Sequence, residues 1–338
     1  MPERHDFKRI FDLLMEWFDT PIDTSFNNPI GTHRSHHDAN SSIDTMADFD
    51  SWRFQVYKEY SSGTRSRLPL KIWWPHYTTG DYRFELCIGA LLVHQVSWRQ
   101  VERSIQNIDT YLNESGLSFD IPGLHSIPQV ELESLIRTTG FFRQKAKRIL
   151  GFCNYVHENY DDFQTFMTVR RGGAGGGDDE PGTGETDGLQ KIGKAGNDTE
   201  DESDGPLRDL GAELSNLKLG FGNETRDCVL LYAANVPVFV ADAYSRRLLH
   251  MVGAIPENKI GDYDLCQDIY KKGIQRDFST RDLDGIVNGF SKDERDHALL
   301  KHPRNEDIPL ILLYQLFHAG IVELGISKRW SEFRDELQ

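Results

Sequence analysis

Apolar residues recur at helical spacing in segment after segment of this 338-residue chain. Spacing of the i, i+3, i+4, i+7 kind places them on one face of a helix, whereas a half-buried strand needs alternation at every second residue. The long segment that begins at Tyr82 offers no sustained alternation. The sequence therefore predicts an all-α fold, with helices in FKRIFDLLMEWF (Phe7 to Phe18), YRFELCIGALLVHQVSWRQVERSIQNI, LESLIRTTGFFRQKAKRILGFCNYVHENY, LRDLGAELSNL, ETRDCVLLYAA, AYSRRLLHMVG and IPLILLYQLFHAGIVELG.

One segment, 171–206, breaks this pattern. It holds eleven of the 29 glycines and almost no large apolar residues. Such a composition cannot bury enough apolar surface to offset the conformational entropy lost on ordering. We therefore predict a disordered acidic insertion within a domain. A glycine-rich phosphate loop would follow a strand and open a helix, and the sequence shows neither here.

The net charge of −15 at first argues against a nucleic-acid partner, because proteins that bind phosphates usually carry a basic face. The segment 171–206 contains ten acidic and three basic residues, so −7 of the excess lies there and −8 elsewhere. The bulk charge is therefore a poor guide to the rest of the surface, and DNA binding is not excluded.

The four cysteines Cys87, Cys153, Cys228 and Cys266 lie far apart and lack the CxxC spacing of zinc and iron–sulfur sites. We expect reduced, buried thiols and no metal site. No apolar run approaches the roughly 18 to 20 residues of a membrane-spanning helix, and the first residues carry no secretory signal pattern. We expect the protein to be intracellular, in the cytoplasm or nucleoid, or in the nucleus of a eukaryote.

The most informative residues lie between 216 and 253. Gly220, Phe221 and Gly222 separate two predicted helices, and a glycine turn backed by a helix N-terminus can bind a phosphate oxygen through backbone N–H groups. About twenty residues later a short apolar run ends in Asp242, where the next helix begins. Taken singly, the turn could be an ordinary helix C-cap and Asp242 an ordinary N-cap. Their order along the chain favours a functional site.

This order resembles the helix-hairpin-helix, endonuclease III-like superfamily of DNA glycosylases. The similar segments run in the family's order from about Trp52 to Trp330, interrupted by the acidic insertion and by a longer loop near 272–308. They are WWPHYTTGDYRFELCIGALLVHQVSWRQVERSI, LIRTTGFFRQKAKRI, the hairpin with VFVADAYSRRLL, and YQLFHAGIVELG.

The resemblance implies a two-domain helical protein with DNA in the cleft between the domains. In this division 1–50 is an N-terminal helix with a polar extension, and 51–83 with 236–338 forms an N/C-terminal helical domain. A helical barrel with the hairpin comprises 84–170 and 207–235, and 171–206 is the insertion. The implied partner is double-stranded DNA with a damaged base. The protein is expected to bind it as a monomer and not to associate with a membrane.

The resemblance also implies a catalytic role for Asp242, whose carboxylate would stabilise the oxocarbenium ion or position the attacking water. Bifunctional members carry a hairpin lysine that forms a Schiff base, and Glu224 occupies that position here. We therefore predict a monofunctional glycosylase. A bifunctional glycosylase with lyase activity and a catalytically degenerate DNA-binding member remain the alternatives.

Glutamate at this position resembles the endonuclease III-type 3-methyladenine DNA glycosylases, which implies an alkylated purine as substrate. Aromatic rings suit such a cationic base. The family's four-cysteine cluster motif is absent from the sequence, so no cofactor is expected. Lys145 and Lys147 are read either as phosphate ligands or as solvated charges. By the same resemblance the base pocket comprises Trp73, Trp74, Pro75 and Trp98, and the DNA-binding residues are Gln95, Gly220, Phe221, Gly222, Asn223, Thr225 and Arg247.

Overall fold

A computed structural model describes residues 6–18, 78, 80–167, 209–288 and 307–338. These ranges contain helices and no β-strand, and the predicted all-α fold is confirmed. In chain order the α-helices are α1 Phe7–Phe18, α2 Tyr82–Leu92, α3 Trp98–Glu114, α4 Ile121–Ser126, α5 Gln129–Leu135, α6 Phe142–Asn159, α7 Phe163–Met167, α8 Leu210–Asn216, α9 Asn223–Cys228, α10 Ala243–Met251, α11 Tyr263–Asp277, α12 Thr280–Asn288, α13 Ile308–Ser327 and α14 Trp330–Leu337.

Helix α1 has the bounds that its apolar spacing predicts. It packs against α11, α13 and α14, and α13 also contacts α10 and α12. A second group forms around α6, which contacts α2, α4 and α5. The division of the chain into two helical domains stays a prediction, because residues 19–77 and the insertion 171–206 lie outside the described residues.

Helix α13 corrects one expectation. Its 20 residues are long and apolar enough, with a mean hydropathy of 1.6 in the best window, to pass as a membrane-spanning segment by length and composition. However, 67% of that window is buried inside the protein. An apolar helix surrounded by other helices is the ordinary centre of a helical core, and α13 has that position.

The segment from Tyr82 is two helices instead of one. Helix α2 ends at Leu92, residues 93–97 form a loop in which Gln95 has φ of +60°, and α3 begins after Ser97. Ser97 and Gln100 form a capping box, which fixes the start of α3. The expected long loop near 272–308 is also wrong in part, because α11 extends to Asp277 and α12 follows.

Helix α9 continues into a single π-helical turn, Val229–Ala233. The amide of Ala234 donates to the Val229 carbonyl, five residues back, where an α-helix would use the fourth. An irregular linker, 235–241, then leads to Asp242 and α10. Phe239, Val240 and Ala241 of this linker are fully buried.

The cysteine prediction is confirmed for three of the four thiols. Cys87, Cys153 and Cys266 are buried, whereas Cys228 is half-buried, and all four are free. Burial raises the pKa of the Cys87 and Cys153 thiols far above the usual range, so both stay protonated.

Candidate active site

Asp242 caps the N-terminus of α10, as its position in the sequence predicts. Its backbone is extended, and Oδ1 accepts a 2.7 Å hydrogen bond from the Ser245 amide. The Ser245 hydroxyl in turn donates to the Val240 carbonyl, which ties the first turn of α10 to the linker. The Asp242 side chain is 13% exposed. One carboxyl oxygen is thus held by the helix end while the group keeps some access to solvent.

The second oxygen of Asp242 faces a histidine from the core helix α13. His318 Nε2 lies 3.9 Å from Asp242 Oδ2, and His318 Nδ1 lies 2.7 Å from the Tyr232 hydroxyl. Burial lowers the pKa of His318, and the nearby Asp242 partly opposes that shift. The Tyr232 hydroxyl also lies 3.3 Å from the Gln315 carbonyl, so its single proton has two acceptors within reach, and the tautomer of the neutral imidazole depends on which of them it bonds.

Glu224 brings a second carboxyl group to the same region. Its Oε2 lies 3.7 Å from Arg246 NH1, and its side chain is 40% exposed. Burial and the charge of Asp242 raise the pKa of Glu224, while Arg246 lowers it. Arg246 also donates a 2.6 Å hydrogen bond to the Ala241 carbonyl, next to Asp242. The first turns of α9 and α10 therefore share one electrostatic environment.

The hairpin turn depends on one of its two glycines for conformation. Gly220 has φ of +96°, and a Cβ there would lie 2.8 Å from Arg148 Cδ. Gly222, the N-cap of α9, has an ordinary φ of −65° and open space where a Cβ would be. Phe221 points inward and meets the Phe152 ring edge-on at 5.3 Å. Any contact of Phe221 with DNA would therefore use its backbone.

The other predicted DNA-binding side chains differ in their accessibility. Gln95, Asn223 and Arg247 are exposed. Asn223 donates to Asp264 Oδ1 at 3.3 Å, and the Arg247 guanidinium lies 4.7 Å from the centre of the Trp330 ring. These three side chains can still be reached from solvent.

Thr225 is a correction to the predicted DNA-binding set. It is buried, and its hydroxyl lies 2.5 Å from His94 Nε2. Thr225 thus joins the hairpin helix to the loop that carries Gln95, and its side chain is not available to a phosphate.

Lys145 also lies inside the protein. Its Nζ donates to the carbonyls of Leu92, His94 and Thr139 at 2.8, 3.0 and 2.6 Å. Burial and the charge of Arg148 lower the pKa of Lys145 to about 8, so at neutral pH the ammonium still has three protons for three acceptors. Lys145 therefore holds the end of α2 in place and is not a phosphate ligand, whereas Lys147 is exposed.

The predicted base pocket is described only in part. Trp98 is half-buried at the first position of α3 and packs against the core. Trp73, Trp74 and Pro75 lie outside the described residues. Their position in a base pocket stays a prediction from the family resemblance.

Four residues of this region did not emerge from the sequence: His318, Asp227, Tyr263 and Phe141. His318 and Asp227 are polar residues within apolar helical segments, which is a usable signal because a buried polar group needs a partner. Phe141, immediately before α6, is 67% exposed and has φ of +43°. The sequence gives no signal that Phe141 is exposed, because its position fits the helical spacing of the apolar residues around it.

The fold and this site together define a helical protein with a hairpin turn and a capping aspartate, and comparisons with known proteins assign such a protein to a family. The profile of the HhH-GPD superfamily of base excision DNA repair proteins matches residues 88–270. A putative DNA repair glycosylase of Methanocaldococcus jannaschii is 32% identical over 205 residues, which cover 61% of this chain and 72% of the relative. The chain therefore belongs to the HhH-GPD superfamily, and its class is that of the DNA glycosylases of base excision repair.

The 3-methyladenine DNA glycosylase of H. pylori bound to 1,N6-ethenoadenine has a similar fold, with a TM-score of 0.50 and 21% identity over 82% of this chain and 97% of the other. A trapped endonuclease III–DNA covalent intermediate gives a TM-score of 0.43 and 14% identity over 83% and 88%.

Proposed function

We propose that the protein is a monofunctional DNA glycosylase that removes an alkylated purine, such as 3-methyladenine, from duplex DNA. The observation that carries this proposal is the pair of carboxyl groups at the site, with Asp242 at the start of α10 and Glu224 where a lyase requires lysine. The H. pylori protein of similar fold is named a 3-methyladenine DNA glycosylase, which favours the same substrate class.

The proposed reaction breaks the bond between C1′ of the sugar and the base nitrogen. The bonding electrons leave with the base, and a cationic alkylated purine departs as a neutral molecule. The sugar develops oxocarbenium character that a nearby carboxylate stabilises. Asp242 suits this role because its second oxygen is not used by the helix cap. Water then adds to C1′ and loses a proton to the carboxylate or to solvent.

Glu224 argues against a lyase step at this position. A Schiff base needs an amine that attacks C1′, and a carboxyl group cannot provide one. Lys145, a buried amine that contacts the loop at Gln95, donates all three protons to backbone carbonyls. Neither residue supports covalent attack on the sugar.

The DNA would approach along the exposed backbone of the hairpin turn and the loop at Gln95. Gly222 leaves open space at the N-terminus of α9, where N–H groups can meet a phosphate oxygen. Phe141 adds an exposed ring on which a base can stack. In the proposed complex the flipped cationic base lies against Trp73, Trp74 and Trp98, since aromatic rings attract a cation.

The test is base release from methylated duplex DNA, with strand cleavage and borohydride trapping measured separately. We expect the wild type to release 3-methyladenine without cleavage or trapping. Asp242→Asn should lower release at least about 100-fold, because the neutral amide cannot stabilise the oxocarbenium ion. Asp120→Asn is the matched control, since Asp120 caps α4 through the Gly123 amide in the same way.

Each alternative has its own signature in this assay. Trapping to abasic DNA with strand cleavage would establish a bifunctional enzyme instead. Duplex binding without release of any alkylated, oxidised or deaminated base, unchanged in Asp242→Asn, would establish a non-catalytic DNA-binding protein. Release that persists in Asp242→Asn would overturn the assignment of the catalytic residue.

A further inference from the structure

We propose that Asp227 is a positioning residue that fixes the linker bearing Asp242 to the hairpin helix. This inference rests on the proposed function, since it assumes that Asp242 acts on a base and that the hairpin binds DNA. Asp227 lies near the end of α9 and is fully buried. It contacts neither the helix cap nor the open side of the site, so any effect on catalysis acts through the linker.

Asp227 reaches the linker by two parallel routes. Its Oδ2 accepts hydrogen bonds from the Tyr263 hydroxyl at 2.9 Å and from Gln267 Nε2 at 2.6 Å. Gln267 Nε2 also donates to the Phe239 carbonyl at 2.7 Å, and the Tyr263 hydroxyl accepts from the Ala241 amide at 3.4 Å. The second route ends one residue before Asp242.

The charges and the available protons of this network agree with the donors and acceptors given for each hydrogen bond. Asp227 Oδ1 accepts a 2.6 Å bond from Arg226 Nε, which compensates the buried carboxylate. Burial and the neighbouring Asp227 raise the pKa of Tyr263 far above its usual range, so the phenol stays protonated and donates to Asp227. The Gln267 amide has two protons, one for Asp227 and one for Phe239.

The linker needs such support because it has no helix of its own. Residues 235–241 are irregular, and a buried carbonyl or amide without a partner would cost about 1–3 kcal/mol. Gln267 and Tyr263 meet that need from α11, and Asp227 sets the position of both. Asp227 thereby couples α9, whose first residues form the phosphate-facing end of the hairpin, to the placement of the Asp242 carboxylate.

The inference predicts an effect on the rate of base release that exceeds any effect on DNA binding. Misplacement of a catalytic group by about 1 Å can cost about 100-fold in rate. We therefore expect Tyr263→Phe and Gln267→Met to lower the single-turnover rate of base release by about 10- to 100-fold. The dissociation constant for a duplex with an uncleavable abasic-site analogue should change less than about threefold, since the hairpin surface is untouched.

The experiment measures three quantities on each variant: single-turnover release from methylated duplex DNA, affinity for the abasic-site duplex, and amide hydrogen exchange across 236–242. Asp227→Asn is included because it replaces one acceptor oxygen with a donor. The matched control is Tyr155→Phe, which removes a 2.7 Å tyrosine–carboxyl hydrogen bond to Glu213 elsewhere in the fold. We expect faster exchange in the linker for the three network variants and not for the control.

The results separate this inference from the proposed function. If the wild type releases bases and the network variants match it, or lose rate and affinity in equal measure, Asp227 is not a positioning residue. If the wild type releases no base at all, the proposed function fails and the exchange data decide alone. Linker exchange that is unchanged in Tyr263→Phe and Gln267→Met would then overturn the inference, and faster exchange would support it.

Discussion

His318 Nε2 faces Asp242 Oδ2 across 3.9 Å, and the histidine comes from the most apolar helix of the described chain. The Tyr232 hydroxyl lies 2.7 Å from Nδ1 and orients the imidazole from its far side. Because burial lowers the pKa of His318, this arrangement places a neutral imidazole next to the carboxylate without adding a charge to a buried region.

The lowered pKa of His318 predicts how stability depends on pH. Burial keeps the imidazole neutral in the folded protein, whereas the unfolded chain takes up a proton near pH 6.5. Because the unfolded state binds more protons below that pH, stability falls as the pH decreases through 6.5 towards the folded pKa. The contribution is at most about 1.4 kcal/mol per pH unit.

The measurement is urea unfolding of the wild type and His318→Gln between pH 5 and 8. The wild-type free energy of unfolding should fall more steeply below pH 6.5 than that of the variant. Equal slopes would mean that His318 titrates normally in the folded state.

The two hairpin glycines should respond differently to alanine. Gly220→Ala is expected to lower the free energy of unfolding by about 1–3 kcal/mol, because φ of +96° is strained for a residue with a Cβ and the space is filled by Arg148. Gly222→Ala should cost less than about 1 kcal/mol, since its φ is ordinary and its surroundings are open. Thermal or urea unfolding measures both.

Gly222→Ala also tests the proposed contact between the hairpin turn and a DNA phosphate. A methyl group at Gly222 occupies the space through which a phosphate would approach, so Gly222→Ala should weaken duplex binding at low salt. Wild-type affinity in this variant would exclude the turn at Gly222 as a point of DNA contact.

Lys145 should contribute mainly to stability. Lys145→Met leaves three backbone carbonyls without their donor, two of them buried and one partly buried, and we expect a loss of at least about 2 kcal/mol in the free energy of unfolding. Lys147→Met, an exposed neighbour, should stay within about 0.5 kcal/mol of the wild type. Similar small effects in both variants would contradict the three-carbonyl arrangement.

Phe141 should affect DNA binding without affecting the fold. Its ring is 67% exposed, so Phe141→Ala removes little packing. Loss of a base-stacking ring should weaken duplex binding by about 1–3 kcal/mol, measured by fluorescence anisotropy. Val130→Ala, at a position that is 79% exposed, is the control and should bind like the wild type.

The local spacing of apolar residues predicted the helices well and the breaks between them less well. The bounds of α1 follow from its apolar spacing alone. The break between α2 and α3 does not, because Lys145, more than 50 residues away, holds the carbonyl of Leu92 that ends α2. Long-range contacts of this kind override a helical pattern that is continuous in the sequence.

The site followed the same rule. Asp242 and Glu224 could be found because their roles depend on position within one short motif. Asp227 and His318 have a sequence signal as polar residues within apolar helical segments, but their roles could not be assigned, because their partners lie 36 and 40 residues away for Asp227 and 86 residues away for His318. The partners of such side chains become visible only when the fold is known.

The π-helical turn at Val229–Ala233 changes the direction in which side chains leave the helix axis. One extra residue in a turn shifts all later side chains by about 100° around the axis. Asp227, before the turn, faces α11, whereas Tyr232, within it, reaches His318 on α13. Deleting a single residue here would restore a regular helix and swing Tyr232 away from the histidine, so the exact chain length of this segment is itself part of the site.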